Sequence, residues 1–187
     1  AGDHSAMLLG QFGSITHTGF KPLSFRYVPF PAGYDVVLCS SGIEASKSTN
    51  AREIFNTRIA SYEIAYLLYW HNNPAHREKL SLLRDISPEH LKVNLAEFYS
   101  SLMKVPPYAT IEKLYADYPD LRDKFDRVFS IYGEPSGELP LREVLLFGVG
   151  ECDRAKKFLE FLDRKEIEAA GELMYISHDG DRVSQWD

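Results

Sequence analysis

Phe55-Asn56-Thr57-Arg58-Ile59-Ala60-Ser61-Tyr62-Glu63-Ile64-Ala65-Tyr66-Leu67-Leu68-Tyr69 is the stretch that sets the class of the fold. Phe55, Ile59, Tyr62, Tyr66 and Tyr69 recur at intervals of four and three, which lays an aromatic stripe along one face of an α-helix. Ile64, Leu67 and Leu68 widen that face, so the spacing predicts a well-buried helix in a segment that turns helical from about Thr49.

Further along the chain the helical character persists. Ser87-Pro88-Glu89 is a good helix start, with Ser as cap, Pro at the first helical position and an acid in the first turn. That helix is predicted to end before Pro106-Pro107. Two shorter helices are expected over 110–117 and 120–132, punctuated by Pro119 and Gly133. A long helix begins near Leu141, with Val144, Gly148, Cys152, Ala155, Leu159 and Leu162 as a seam whose small residues would let another backbone approach closely. A final helix covers about 166–177.

Toward the start of the chain the pattern changes to strands. Residues 14–20 and Ser24–Val28 are β-rich and bounded by Gly and Pro, which predicts two strands. Asp35-Val36-Val37-Leu38-Cys39, an apolar run after the turn signal Pro31-Ala32-Gly33, reads as a strand buried on both faces. Residues 4–10 form a short helix with Asp3 as its N-cap. A few strands followed by a helical majority make the class α+β.

Composition excludes several classes of function. A net charge of −6, with no basic run, argues against a nucleic-acid surface. No stretch approaches the roughly 20 apolar residues that span a bilayer. Cys39 and Cys152 are too few for a disulfide scaffold and lack metal-ligand spacing, which fits a cytoplasmic setting. The start, Ala1-Gly2-Asp3-His4, has no basic region, long apolar core or initiator methionine, so it is not a signal peptide and the chain is expected to be an internal piece.

The common phosphate-binding signatures, G-x-x-x-x-G-K-[ST] and G-x-G-x-x-G, do not occur. Gly148-Val149-Gly150 falls in a helical stretch and reads as packing. Asp179-Gly180-Asp181 lacks the remaining ligands of a calcium loop. The six histidines, His4, His17, His71, His76, His90 and His178, are scattered. Spacing alone makes Asp3 a helix cap, and leaves catalytic use open.

Taken in order, however, several segments resemble galactokinases and related N-acetylgalactosamine kinases of the GHMP kinase superfamily. Gly2-Asp3-His4 followed by Leu8-Leu9-Gly10-Gln11-Phe12-Gly13 is similar to the aspartate element of these enzymes and the glycine turn and strand behind it. Cys39-Ser40-Ser41-Gly42-Ile43-Glu44-Ala45-Ser46-Lys47 resembles the strand and loop that follow. Phe55-Asn56-Thr57-Arg58 resembles their aromatic-x-x-Arg helix, and Leu141-Arg142-Glu143 through Ala155 their long Arg-rich helix. Gly171-Glu172-Leu173-Met174 with Ser177-His178 resembles the segment ahead of their third motif; residues 72–138 align loosely.

The resemblance implies ATP-dependent phosphorylation of a monosaccharide hydroxyl, commonly the anomeric one, with Asp3 as the catalytic aspartate. Such transfer passes through a loose transition state in which positioning and electrostatics dominate. An aspartate with a pKa near 3.9 is a poor base at neutral pH, but it can orient the hydroxyl and accept its proton late. Phe55 falls where galactokinases often place a sugar-contacting Tyr, and lacks that hydroxyl; packing on the aromatic stripe is its other role.

The resemblance also implies a division at residue 48. Residues 1–48 would end a GHMP N-terminal mixed-sheet domain, and 49–187 would form a helix-rich C-terminal domain, incomplete at its C-terminus. ATP and Mg²⁺ are the implied cofactors. The sugar-recognition motif, the Gly-Leu-Ser-Ser-Ser phosphate loop and the Gly-rich third motif are absent from the 187 residues. The chain by itself is therefore expected neither to bind MgATP tightly nor to turn over sugar. A non-catalytic sugar or nucleotide sensor, or a kinase of the heptose-phosphate or mevalonate type, are the alternatives.

Overall fold

Residues 52–72 contain neither glycine nor proline, so nothing in the backbone interrupts a helix until Pro74 constrains the residue before it. The computed structural model, which describes residues 2–40, 42 and 49–183, carries one helix here, α2 (Thr49–Asn72). Its last turn leaves carbonyls without helical partners. The Asn73 side-chain amide donates to Tyr69 O at 2.9 Å, and the Arg77 guanidinium donates to Trp70 O at 3.1 Å and His71 O at 2.7 Å.

The buried face of α2 keeps Tyr69 of the expected aromatic stripe and Ile64 and Leu68 of its flank, but is centred elsewhere. Ala60, Ser61, Ile64, Ala65, Leu68 and Tyr69 are all inaccessible, whereas Tyr62 and Tyr66 are partly buried and Phe55 is 63% exposed. Three of the six buried residues are small. They let neighbouring side chains approach the helix axis, and the rings of Tyr62 and Tyr66 are left to flank that contact.

Contacts group the chain into two compact units, Gly42–Cys152 and a second made of Ala1–Ser41 with Asp153–Asp187. In the larger unit α2 packs on α6 (Arg122–Tyr132), which buries Phe125, Val128 and Phe129 at helical spacing. Gly133, at φ +91°, ends α6, where a side chain would be strained. Arg77 and Lys124 both lie over the Trp70 ring, at 4.5 and 4.2 Å from its centroid, joining the end of α2 to α6.

Ser87 caps the next helix as expected, accepting from His90 N at 3.2 Å. That helix, α3, is only Pro88–Leu91, and the single helix predicted up to Pro106 is two. Lys92 turns left-handed at φ +59°, and Asn94 and Glu97 then form a reciprocal capping box that starts α4 (Leu95–Leu102). Thr110 caps α5 (Ile111–Asp117) by accepting from Lys113 N. A two-residue antiparallel ladder, β3 (Tyr108–Ala109) with β4 (Leu139–Pro140), had no strand-length signal in the sequence.

The helix predicted from Leu141 is α7 (Arg142–Asp163). Its expected seam is not continuous: Val144 and Leu145 belong to the larger core, Leu159 and Leu162 to the smaller one, and Ala155 is exposed. Gly148 meets a ring rather than a backbone. A Cβ there would lie 2.7 Å from Tyr62 Cε1 and 3.2 Å from Leu83 Cδ2. Gly148→Leu is therefore expected to destabilise by about 1–3 kcal/mol despite leucine's better helix propensity, read from the urea midpoint.

In the smaller unit the two predicted strands form a hairpin, β1 (Ser14–Gly19) and β2 (Ser24–Pro29), with Ile15 opposite Val28 and His17 opposite Arg26. Alternation along β2 separates its faces. Val28 packs with Leu159, Leu162 and Ala170, and Arg26 on the same face pairs with Asp163, while Phe25 and Tyr27 on the other face stay accessible. The chain leaves α7 through a Schellman turn in which Lys165, at φ +62°, takes the left-handed position. Lys165 N donates to Leu162 O at 3.0 Å and Glu166 N to Phe161 O at 2.9 Å. Helix α8 (Ile167–Val183) follows, longer than expected, and contains Asp179-Gly180-Asp181.

Asp35–Cys39 is not the buried strand that its apolar run predicts. The segment is irregular, and Val36, Val37 and Leu38 are 72%, 78% and 93% exposed. A strand buried on both faces needs ladder partners, and β1 and β2 pair only with each other. Among the described residues the chain is thus mixed α and β, largely helical, with two small antiparallel sheets.

Candidate functional site

Asp3 lies within helix α1 (Gly2–Leu9), in its first turn, rather than capping a helix that starts at residue 4. The two positions share one physical cause, since an acidic side chain is stabilised by the positive end of the helix dipole at either. Asp3 is exposed, and among the described residues its carboxylate has no ion-pair or hydrogen-bond partner.

The end of α1 is held firmly. Gly10 N closes the helix on Ala6 O at 2.9 Å, and a Cβ at residue 10 would come within 2.5 Å of that same oxygen. Gly13 turns the chain into β1 at φ +72°. Its carbonyl accepts from Phe30 N at 2.9 Å, beyond the end of β2. The Tyr27 hydroxyl donates to Leu9 O at 2.9 Å, so the last turn of α1 is tied to β2 as well. The Gly10 and Gly13 spacing behind Asp3 thus corresponds to a helix–turn–strand corner.

Phe55 sits in the larger unit, near the start of α2, and Asp3 in the smaller one. Arg58, in the same quoted element as Phe55, lies 5.7 Å from the Phe147 centroid. Most of Cys39–Lys47 falls outside the described residues; within it Cys39 is exposed and unbridged. Gly171-Glu172-Leu173-Met174 and Ser177-His178 lie on α8, with His178 exposed.

The smaller unit also contains a groove of ≈ 660 Å³ between residues 15–36 on one side and the end of α7 with α8 on the other. Ile15, Phe158, Leu162 and Met174 are among its apolar walls. Its charged lining residues are Asp35, Glu168 and Glu172, and Tyr34 and Tyr175 contribute rings. Of these, Ile15, Asp35 and Leu162 fell in segments read for secondary structure, and Glu172 and Met174 in one that carries the resemblance. Tyr34 and Glu168 had no periodicity or motif to mark them, because the groove is made by segments more than 120 residues apart.

A second group of titratable side chains lies in the larger unit. The Ser101 hydroxyl donates to Phe98 O at 2.7 Å, so its oxygen is free to accept from the buried Tyr69 hydroxyl at 2.9 Å. The Tyr69 oxygen then accepts from His76 Nδ1 at 3.0 Å, which assigns the neutral Nδ1–H tautomer to His76. Burial raises the Tyr69 pKa, against a lowering by the Ser101 hydrogen bond. Burial chiefly lowers that of His76, helped by Lys79 and Lys104 and opposed by Glu97.

A histidine held below its unfolded value binds fewer protons folded than unfolded, so its contribution to stability is present above pH 6.5 and lost as pH falls below it. The urea midpoint is expected to fall between pH 7.5 and 5.5 by less in His76→Gln than in the unaltered chain. Every buried side-chain nitrogen and oxygen among the described residues has a partner, which marks this cluster as core structure.

No protein-family model matches the chain, and no curated protein matches it.

Proposed function

We propose that the chain is part of a galactokinase-like sugar kinase, in which Asp3 orients the acceptor hydroxyl and takes its proton as the bond to phosphorus forms. One observation carries this reading. Asp3 presents a carboxylate without a partner among the described residues, at the positive end of a helix whose far end is anchored by Gly10, Gly13 and Tyr27. An anchored element lets a side chain position a reacting group, and positioning is most of what a loose phosphoryl transfer asks of the protein.

The helix end supports the same role, because its unpaired N–H groups favour the negative charge that gathers around a phosphoryl group. The resemblance also gives Phe55, whose ring is exposed near the start of α2, as a sugar-contacting position.

The described residues do not suit the implied Mg²⁺ and ATP. Among them no group of three His, Cys, Asp or Glu side chains could hold a metal ion, and the sequence contains no Gly-Leu-Ser-Ser-Ser loop. On this proposal Asp3→Asn is tested in a protein that carries the loop, by kcat for sugar phosphorylation at saturating MgATP. An undiminished kcat overturns it.

A further inference from the structure

The groove in the smaller unit has a size and lining that the kinase proposal does not use. At ≈ 660 Å³ it falls in the range that small organic ligands occupy. Its walls are largely apolar, so a ligand that fills it buries hydrocarbon or an aromatic ring. Its charged lining is of one sign: Asp35, Glu168 and Glu172, with no lysine or arginine among the lining residues.

The placement of those carboxylates narrows the ligand. Glu168 and Glu172 are one turn apart on α8 and share a face, where like charges oppose each other. Tyr175 stands three residues beyond Glu172 and continues the same face. Tyr34, on the opposite wall, offers its hydroxyl to Glu168 at 3.5 Å, a long contact that leaves most of the carboxylate's accepting capacity unused. Gly171 lies between the two glutamates and lines the groove, and a Cβ built there meets nothing within 4 Å. The helix surface is therefore open to the groove at that point.

We propose that this groove binds an amphipathic organic cation, an alkyl- or arylammonium. Its hydrocarbon body lies against Ile15, Phe158, Leu162 and Met174. Its ammonium head lies among Glu168, Glu172 and Asp35, within reach of the Tyr34 and Tyr175 rings. The cation relieves the repulsion between the carboxylates, and an anion of the same shape adds to it.

The test compares three probes of nearly equal shape, 4-phenylbutylammonium, 4-phenylbutanol and 4-phenylbutyrate, by calorimetry and saturation-transfer NMR on the 187-residue chain. The ammonium is expected to bind at millimolar concentration or below, about 2- to 5-fold more tightly than the alcohol, with the carboxylate weakest. The double substitution Glu168→Gln, Glu172→Gln is expected to bring the ammonium down to the alcohol's affinity. Gly171→Phe is expected to abolish binding of both while its melting temperature stays at or above that of the unaltered chain, since glycine is a poor helix former and the site is open. Absence of ammonium binding, equal binding of all three probes, or binding undisturbed by Gly171→Phe in a folded protein overturns the proposal. None of these outcomes depends on the role of Asp3.

Discussion

On the proposed kinase reading, sugar phosphorylation by a protein that carries the phosphate loop is expected to slow by roughly 10²–10⁴-fold when Asp3 becomes Asn, with the affinity for MgATP nearly unchanged. Asparagine keeps the shape of the side chain and one acceptor oxygen, so the hydroxyl is still held. It removes the negative charge and the capacity to take a proton, which matter only as the hydroxyl's O–H bond breaks. A loss confined to the transition state lowers kcat and kcat/KM together.

The helix gives a control for that measurement. An acid in a first turn contributes about 0.3–1 kcal/mol through the dipole, so Asp3→Asn also costs a little stability. Asp3→Glu keeps the charge at the helix end but moves the carboxylate outward by one methylene. It is expected to restore the stability and not the rate. Recovery of both in Asp3→Glu would identify Asp3 as a dipole-stabilising residue alone.

The larger unit is expected to lose about 3–5 kcal/mol in Phe125→Ala. Phe125 is inaccessible, it belongs to the face of α6 that meets α2, and its cluster includes Ile64, Leu68, Leu121 and Leu145. Removing the ring loses its transfer free energy and leaves a space that helices on either side close only in part. Against a usual total of 5–15 kcal/mol, such a loss lowers the melting temperature by on the order of 10 °C or more. Urea unfolding followed by helical circular dichroism measures it. A loss below 1 kcal/mol would mean that α2 and α6 close over the gap.

Both variants rest on features of different legibility. The hairpin was readable because its β-rich runs are bounded by Gly19 and Pro22, which leave one place for the turn. The start of α2 near Thr49 was readable from its helical spacing, and an uninterrupted run carries it up to the turn before Pro74. Which face of α2 is buried was not: ring size suggested the tyrosines, but Ala60, Ser61 and Ala65 determine where neighbours fit. The break at Lys92–Asn94 had a signal, the Asn94–Glu97 capping box, within a stretch whose helical propensity masks it.

The run at Val36–Leu38 shows the limit of local pattern. Its composition is that of an interior strand, and pairing, which composition does not specify, is what would have made it one. The candidate catalytic position was legible as an acid at a helix start, and a chemical role for it came only through the resemblance. The groove was not legible at all, because Tyr34 and Glu168 are neighbours through the fold alone.

The two cations over Trp70 have a practical consequence for such measurements. The sequence contains only two indoles, Trp70 and Trp186. In a Trp186→Phe background, emission excited at the red edge of the indole band reports on a single ring, whose local field is set by Arg77 from just beyond α2 and Lys124 from α6. Separation of α6 from α2 withdraws the Lys124 charge and wets the ring, while Arg77 stays tied to Trp70 O and His71 O. The wavelength of that emission is thus an optical gauge of whether α2 and α6 are still joined, with no label attached.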